Sequence, residues 1–85
     1  MQITIQTFGA FRRFGRKIEI LLAEQAAVTD IRKPLYLAVA KQSAEFDIEA
    51  LIDSSRFATE ERILAEDEML LDGQLITILP PVSGG

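Results

Sequence analysis

The last six residues, Pro80-Pro81-Val82-Ser83-Gly84-Gly85, carry the chemistry that this sequence can offer. The two glycines lack Cβ atoms, so they can pass through a slot too narrow for a side chain. The prolines favour a stiff, extended backbone, and Pro80 to Gly85 would span on the order of 20 Å. At the tip stands the α-carboxylate of Gly85, ionised at neutral pH with a reference pKa of about 3.3–3.7. An anionic carboxylate is a poor electrophile, so chemistry there needs prior activation. A frayed terminus would also end in small residues.

Side chains offer little competition. The 85 residues include neither cysteine nor histidine, which removes the disulfide, the thiolate nucleophile, the usual general base and the commonest metal ligand. Ser43, Ser54, Ser55 and Ser83 stand in no nucleophile-elbow pattern, and neither a Gly-Lys-Ser/Thr phosphate loop nor a Gly-x-Gly-x-x-Gly turn occurs. Glu60, Glu61, Glu66, Asp67 and Glu68 could suggest acid/base work or oxygen ligands for a hard cation. Their spacing matches no calcium loop, however, and a solvated surface accounts for them. No metal site is expected.

The combination of a hydrophobic strand and Pro80-Pro81-Val82-Ser83-Gly84-Gly85 resembles the small, sulfur-carrying subunit of molybdopterin synthase, the MoaD group of the MoaD/ThiS ubiquitin-like sulfur carriers. Thiamine-pathway carriers share the Gly-Gly end but usually lack the Pro-Pro-Val-Ser approach. The first strand running into Phe8…Arg…Gly15, and Asp72-Gly73 before the last strand, extend the resemblance. A longer stretch between the third strand and that turn departs from the pattern, as does Pro34. The resemblance implies that an ATP-dependent adenylating enzyme activates Gly85 and that a sulfur donor protein converts it to a thiocarboxylate. The tail would then enter the large subunit of molybdopterin synthase and donate sulfur to cyclic pyranopterin monophosphate in molybdenum cofactor biosynthesis. Gly85 would carry the sulfur, Gly84 would permit threading, and Pro80 and Pro81 would limit the entropy lost on insertion. Val82 would fill an apolar pocket, with Ser83 also part of the inserted tail. The chain would be a subunit and a substrate with no bound cofactor, ATP being used by the activating enzyme. Catalytic side chains would lie on the partner. A ThiS-like carrier, a ubiquitin-like modifier joined to lysines through Gly85, and a binding module with an inert tail are the alternatives.

The body that holds this tail is expected to be one domain, residues 1–85, large enough for a modest core. No apolar run approaches the roughly 20 residues of a membrane span and no signal-peptide pattern is present, so a cytoplasmic protein is expected. The net charge of −4 argues against a nucleic-acid partner.

Gln2 to Phe8 alternates Ile3 and Ile5 with polar residues, and Lys17 to Leu22 alternates Ile18 and Ile20. Both read as strands, joined as an antiparallel hairpin because the connection is too short for a parallel crossover. Phe8, Phe11 and Phe14 in that connection read as core packing. Arg12, Arg13, Arg16 and Lys17 concentrate four of the nine basic residues in six positions. A solvated loop explains them, and so does a patch around Phe8, Arg12 and Arg13 that meets an acidic partner.

Val28, Ile31, Leu35, Ala38 and Val39 share a helical face, with Thr29 or Asp30 as cap. Pro34 predicts a helix beginning near it, or a break after a first turn. Ile48 to Ile52 suits helix or strand, and its position after the helix favours a third strand over Ala50–Ser54. Ile63, Leu64, Met69 and Leu70 are expected to anchor the acidic stretch around residues 56–68 to the core. Leu75 to Leu79 is the last strand. The order strand, strand, helix, strand, strand predicts an α+β fold. The resemblance makes it a β-grasp, a mixed sheet of about four strands under one covering helix.

Overall fold

The computed structural model describes residues 1–42 and 47–81. Its sheet is built from β1 (Gln2–Gln6), β2 (Lys17–Leu21), β3 (Arg56–Ala58) and β4 (Leu75–Leu79), in the order β2-β1-β4-β3. β1 runs antiparallel to β2 and parallel to β4, and β3 runs antiparallel to β4. The two strands that begin and end the chain therefore lie side by side at the centre. This is the mixed sheet expected from the order of the elements together with the resemblance.

One face of the sheet is dry. Ile3, Ile5, Ile76, Ile78 and Phe57 are fully buried, with Ile20 nearly so. Each such side chain contributes about 1.5–3 kcal/mol through its removal from water. Over them lies α1 (Arg32–Val39), preceded by a 3₁₀ turn at Val28–Ile31 and succeeded by another at Ala40–Gln42. Val28, Ile31, Leu35 and Val39 face the core, whereas Ala38 is exposed. The break expected around Pro34 occurs between the 3₁₀ turn and α1, which leaves the proline in the first turn of α1, where its missing N–H costs least. Asp30 fixes the entry: its Oδ2 accepts the Ala27 amide at 2.8 Å.

The third strand lies later than expected. Ile48–Asp53 forms a second helix, α2, because Asp47 caps it (Oδ1 accepting the Ala50 amide at 3.0 Å) and Ile48 and Ile52, one turn apart, enter the core. The strand expected over Ala50–Ser54 is thus replaced by helix, and only Arg56–Ala58 pairs with β4. The single covering helix becomes two.

In the acidic segment Glu60, Glu61 and Asp67 are exposed, as a solvated surface implies, whereas Glu66 and Glu68 are partly covered and paired. Arg32 reaches from α1 to the carboxylate of Glu66, with Nη2 2.7 Å from either oxygen, and also donates to the carbonyls of Ile52 and Ser55. Its guanidinium lies 5.0 Å from the Phe57 ring centroid. Arg62 pairs with Glu68 through two hydrogen bonds. Hydrogen bonding from Arg62 is the main reason the Glu68 carboxyl is held below the usual range, and Glu68 in turn raises Arg62. Leu64 and Leu70 are buried anchors, whereas Ile63 and Met69 are exposed.

Candidate functional site

Because β1 and β4 are parallel, they leave the sheet at the same end. The register pairs Gln6 with Thr77, and continuing it places Phe8 beside Leu79 and Gly9 beside Pro80. The contact agrees: a Cβ built on Gly9 would lie 3.0 Å from Pro80 Cγ, and Gly9 has φ +58°. Any other residue there would meet both a left-handed backbone and the proline ring. Gly9 is a site residue that sequence pattern does not single out; its one signal is a position just after a strand.

The loop after β1 is anchored from beneath. Thr7 is buried, its amide bonds to the Arg16 carbonyl at 2.9 Å, and its hydroxyl donates to the Gly15 carbonyl at 2.6 Å. A 3₁₀ turn at Gly9–Phe14 comes next, which buries Phe11 and Phe14. Phe8 does not join them. It precedes the turn in extended conformation and is 55% exposed, so the expected core role for it is corrected. Arg12 donates from Nε to the Thr7 carbonyl at 3.4 Å, and the Arg13 guanidinium lies 5.7 Å from the Phe14 ring centroid. Phe8, Arg12 and Arg13 thus share the loop that abuts the root of the tail.

Pro80 is half-buried against that loop and Pro81 is exposed. Val82, Ser83, Gly84 and Gly85, which carry the chemistry read from the sequence, lie outside the described residues. At the other end of the sheet, Asp72 and Gly73 form the expected turn. The Gln2 amide donates to Asp72 Oδ1 at 2.7 Å, and Gly73, with φ +82°, donates its amide to the Gln2 carbonyl at 2.8 Å. These bonds set the register that aims β4.

Elsewhere, a groove of about 440 Å³ between α1 and α2 is lined by residues such as Lys33, Tyr36, Glu49 and Asp53. Among the described residues no group of three or more acidic side chains is placed to hold a metal ion, and no helix is long and apolar enough to cross a membrane.

This arrangement, a mixed four-stranded sheet with the first and last strands parallel at its centre and helices across one face, is the ubiquitin-like β-grasp fold. Neither a family model nor a curated protein sequence matches the chain. Solved structures do. SAMP1 of Haloferax volcanii superposes with a TM-score of 0.73 at 22% identity, over 100% of both chains. A Pyrococcus furiosus protein named "putative molybdopterin converting factor, subunit 1" gives 0.71 at 26% identity, over 96% of this chain and 99% of that one. The ubiquitin-like domain of Plasmodium falciparum Dsk2 gives 0.57 at 13% identity, over 95% and 97%.

Proposed function

We propose that this chain is a sulfur carrier for molybdenum cofactor biosynthesis, with Gly85 as the carrying residue. The observation that carries the reading is the root of the tail. Central strand β4 ends at Leu79 between two neighbouring strands, and Pro80 and Pro81 continue it at the sheet's end. A tail that starts there is aimed by a central strand held on both sides. The name of the Pyrococcus furiosus neighbour, a converting-factor subunit, supports the same pathway and a larger partner subunit.

In this reading an adenylating enzyme transfers AMP from ATP to the Gly85 carboxylate with release of pyrophosphate, and sulfide delivered by a sulfur donor protein displaces AMP to leave the thiocarboxylate. The tail Pro80–Gly85 then threads into the large subunit of molybdopterin synthase, where the sulfur passes to cyclic pyranopterin monophosphate. The chain itself contributes reach, orientation and the reacting group, not acid/base side chains. Mixing the full chain with ATP and the adenylating enzyme of its host tests this. An acyl-adenylate on Gly85 is expected; an inert chain overturns the reading in favour of a plain binding module.

A second reading has one observation in its favour. Another matching structure is named Haloferax volcanii small archaeal modifier protein 1. A modifier would be found joined through Gly85 to lysines of other proteins, whereas a ThiS-like carrier would pass sulfur to a different acceptor. Mass spectrometry of lysine adducts and of the sulfur-accepting product separates the three.

A further inference from the structure

The end of the sheet that bears the tail root also gathers cations from three separate parts of the chain. Lys17 starts β2 and pairs with Gln6. Arg16 precedes it, and its carbonyl holds Thr7. Arg12 leans on the Thr7 carbonyl from the adjoining turn. Arg56 opens β3 directly opposite Leu79, the last strand residue before Pro80. All four side chains are exposed.

Alternation places Lys17 and Arg56 on the outer face, because their neighbours Ile18 and Phe57 point toward the core. Three strand spacings and two residues of offset separate them by roughly 15 Å. That exceeds the Debye length of about 8 Å at physiological salt, so they address different points on a partner. Between them stand the exposed Phe8 and half-buried Leu79. An apolar centre inside a charged rim is the anatomy of a protein interface.

Two of the cations elsewhere differ, whereas Lys33 and Lys41 are exposed and also take part in neither ion pair of the described residues. Arg32 and Arg62 are engaged by Glu66 and Glu68, the two ion pairs of the described residues, and neither pair involves Arg12, Arg16, Lys17 or Arg56. Glu19 lies two residues along β2 from Lys17, and Asp53 and Glu66 line a surface hollow with Arg56, Glu66 being already paired with Arg32. A chain with net charge −4 thus turns a basic end toward whatever receives its tail.

We propose that Arg12, Arg16, Lys17 and Arg56 form a basic collar around the tail root that docks on a carboxylate-lined rim of the larger subunit to which the tail delivers its sulfur. This rests on the tail-delivery reading above and adds the chemistry of the partner's surface. A nucleic acid fits less well, since its phosphates would also meet the acidic remainder of the domain. Exposed rim charges contribute little affinity each, and they act mainly by steering the encounter.

The test is stopped-flow association of the full chain with the purified large subunit of molybdopterin synthase from the same host. The double variant Lys17→Glu/Arg56→Glu is compared with Lys33→Glu/Lys41→Glu, which changes net charge equally on the helical side. Circular dichroism checks that both remain folded. The collar variant should associate about tenfold more slowly at low salt, with the gap closing at about 0.5 M salt, while the control stays within about twofold of the native chain. Equal slowing of both variants overturns the collar and leaves tail delivery standing. Failure of the native chain to bind at any salt overturns both. Tighter binding of the native chain to duplex DNA than to the large subunit overturns the choice of partner.

Discussion

The two ends of the domain treat charge in opposite ways. Around the α1–α2 junction, Arg32 is committed to structure: it ties α1 to the carbonyls of Ile52 and Ser55 and to Glu66, 34 residues away. At the tail end, Arg16, Lys17 and Arg56 stand around an exposed Phe8 and contribute to neither ion pair of the described residues, and Arg12 gives only its Nε–H to the Thr7 carbonyl. A polar group satisfied within the fold adds stability, whereas one left facing water is available to a partner. The domain is thus a closed helical side that holds the sheet, and an open end where β4 runs out into Pro80 and Pro81.

That contrast can be broken most sharply at the tail. Deleting Gly85, or adding one residue after it, should lower sulfur transfer in a reconstituted synthase by at least about 100-fold, because the reacting atom is displaced by a residue's length. The melting temperature should not move. An extended variant that becomes thiocarboxylated at its new end would sink the assignment of Gly85.

On the closed side the reverse is expected. Arg32→Ala takes the donor from Glu66 and from the Ser55 carbonyl, leaves the Ile52 carbonyl with the Ser55 amide alone, and should destabilise the fold by about 2–3 kcal/mol. Chemical denaturation measures this, and transfer at temperatures where the variant stays folded should be near native. A variant of native stability would show that Arg32 does not hold the junction.

Gly9→Ala tests the seam between the two regions. The left-handed backbone costs roughly 1–2 kcal/mol for a residue with a Cβ, and the new methyl would press on Pro80. Both stability and transfer should fall, the latter through a misdirected tail. Loss of stability alone would mean that the Gly9–Pro80 contact does not aim the tail.

The smallest effect concerns pH. Hydrogen bonding from Arg62 depresses the Glu68 carboxyl in the folded state. Its contribution is therefore present above the unfolded pKa of about 4.3 and is lost as pH falls through the lower folded value. Glu68→Gln should flatten the acid side of the stability curve slightly, and an unchanged slope would mean the exposed pair contributes nothing measurable.

Much of the fold is legible in the pattern of residues. Ile3/Ile5, Ile18/Ile20 and Ile76/Ile78 alternate cleanly, so three strands and their inward faces are readable from sequence. α2 is not, because a six-residue stretch with Ile48 and Ile52 suits either period; the deciding signal is Asp47, a cap just before it. β3 spans only three residues, too few for alternation to register. The spacing of Phe8 with Phe11 and Phe14 suggests a shared core face, but the 3₁₀ turn that buries the other two starts one residue after Phe8. The tail's composition is legible, but its surroundings are not. Arg56 lies 39 residues from Lys17, and only the strand register brings both to the end where β4 leaves.

The central claim is that the reactive atom of this protein belongs to the main chain of its final residue. Intact-mass measurement of the protein isolated from its native host, combined with fragmentation of the C-terminal peptide, tests it directly. The account predicts a population heavier by the difference between sulfur and oxygen, with the exchange confined to Gly85. A chain carrying only oxygen at Gly85, from cells making active molybdenum cofactor, would contradict it.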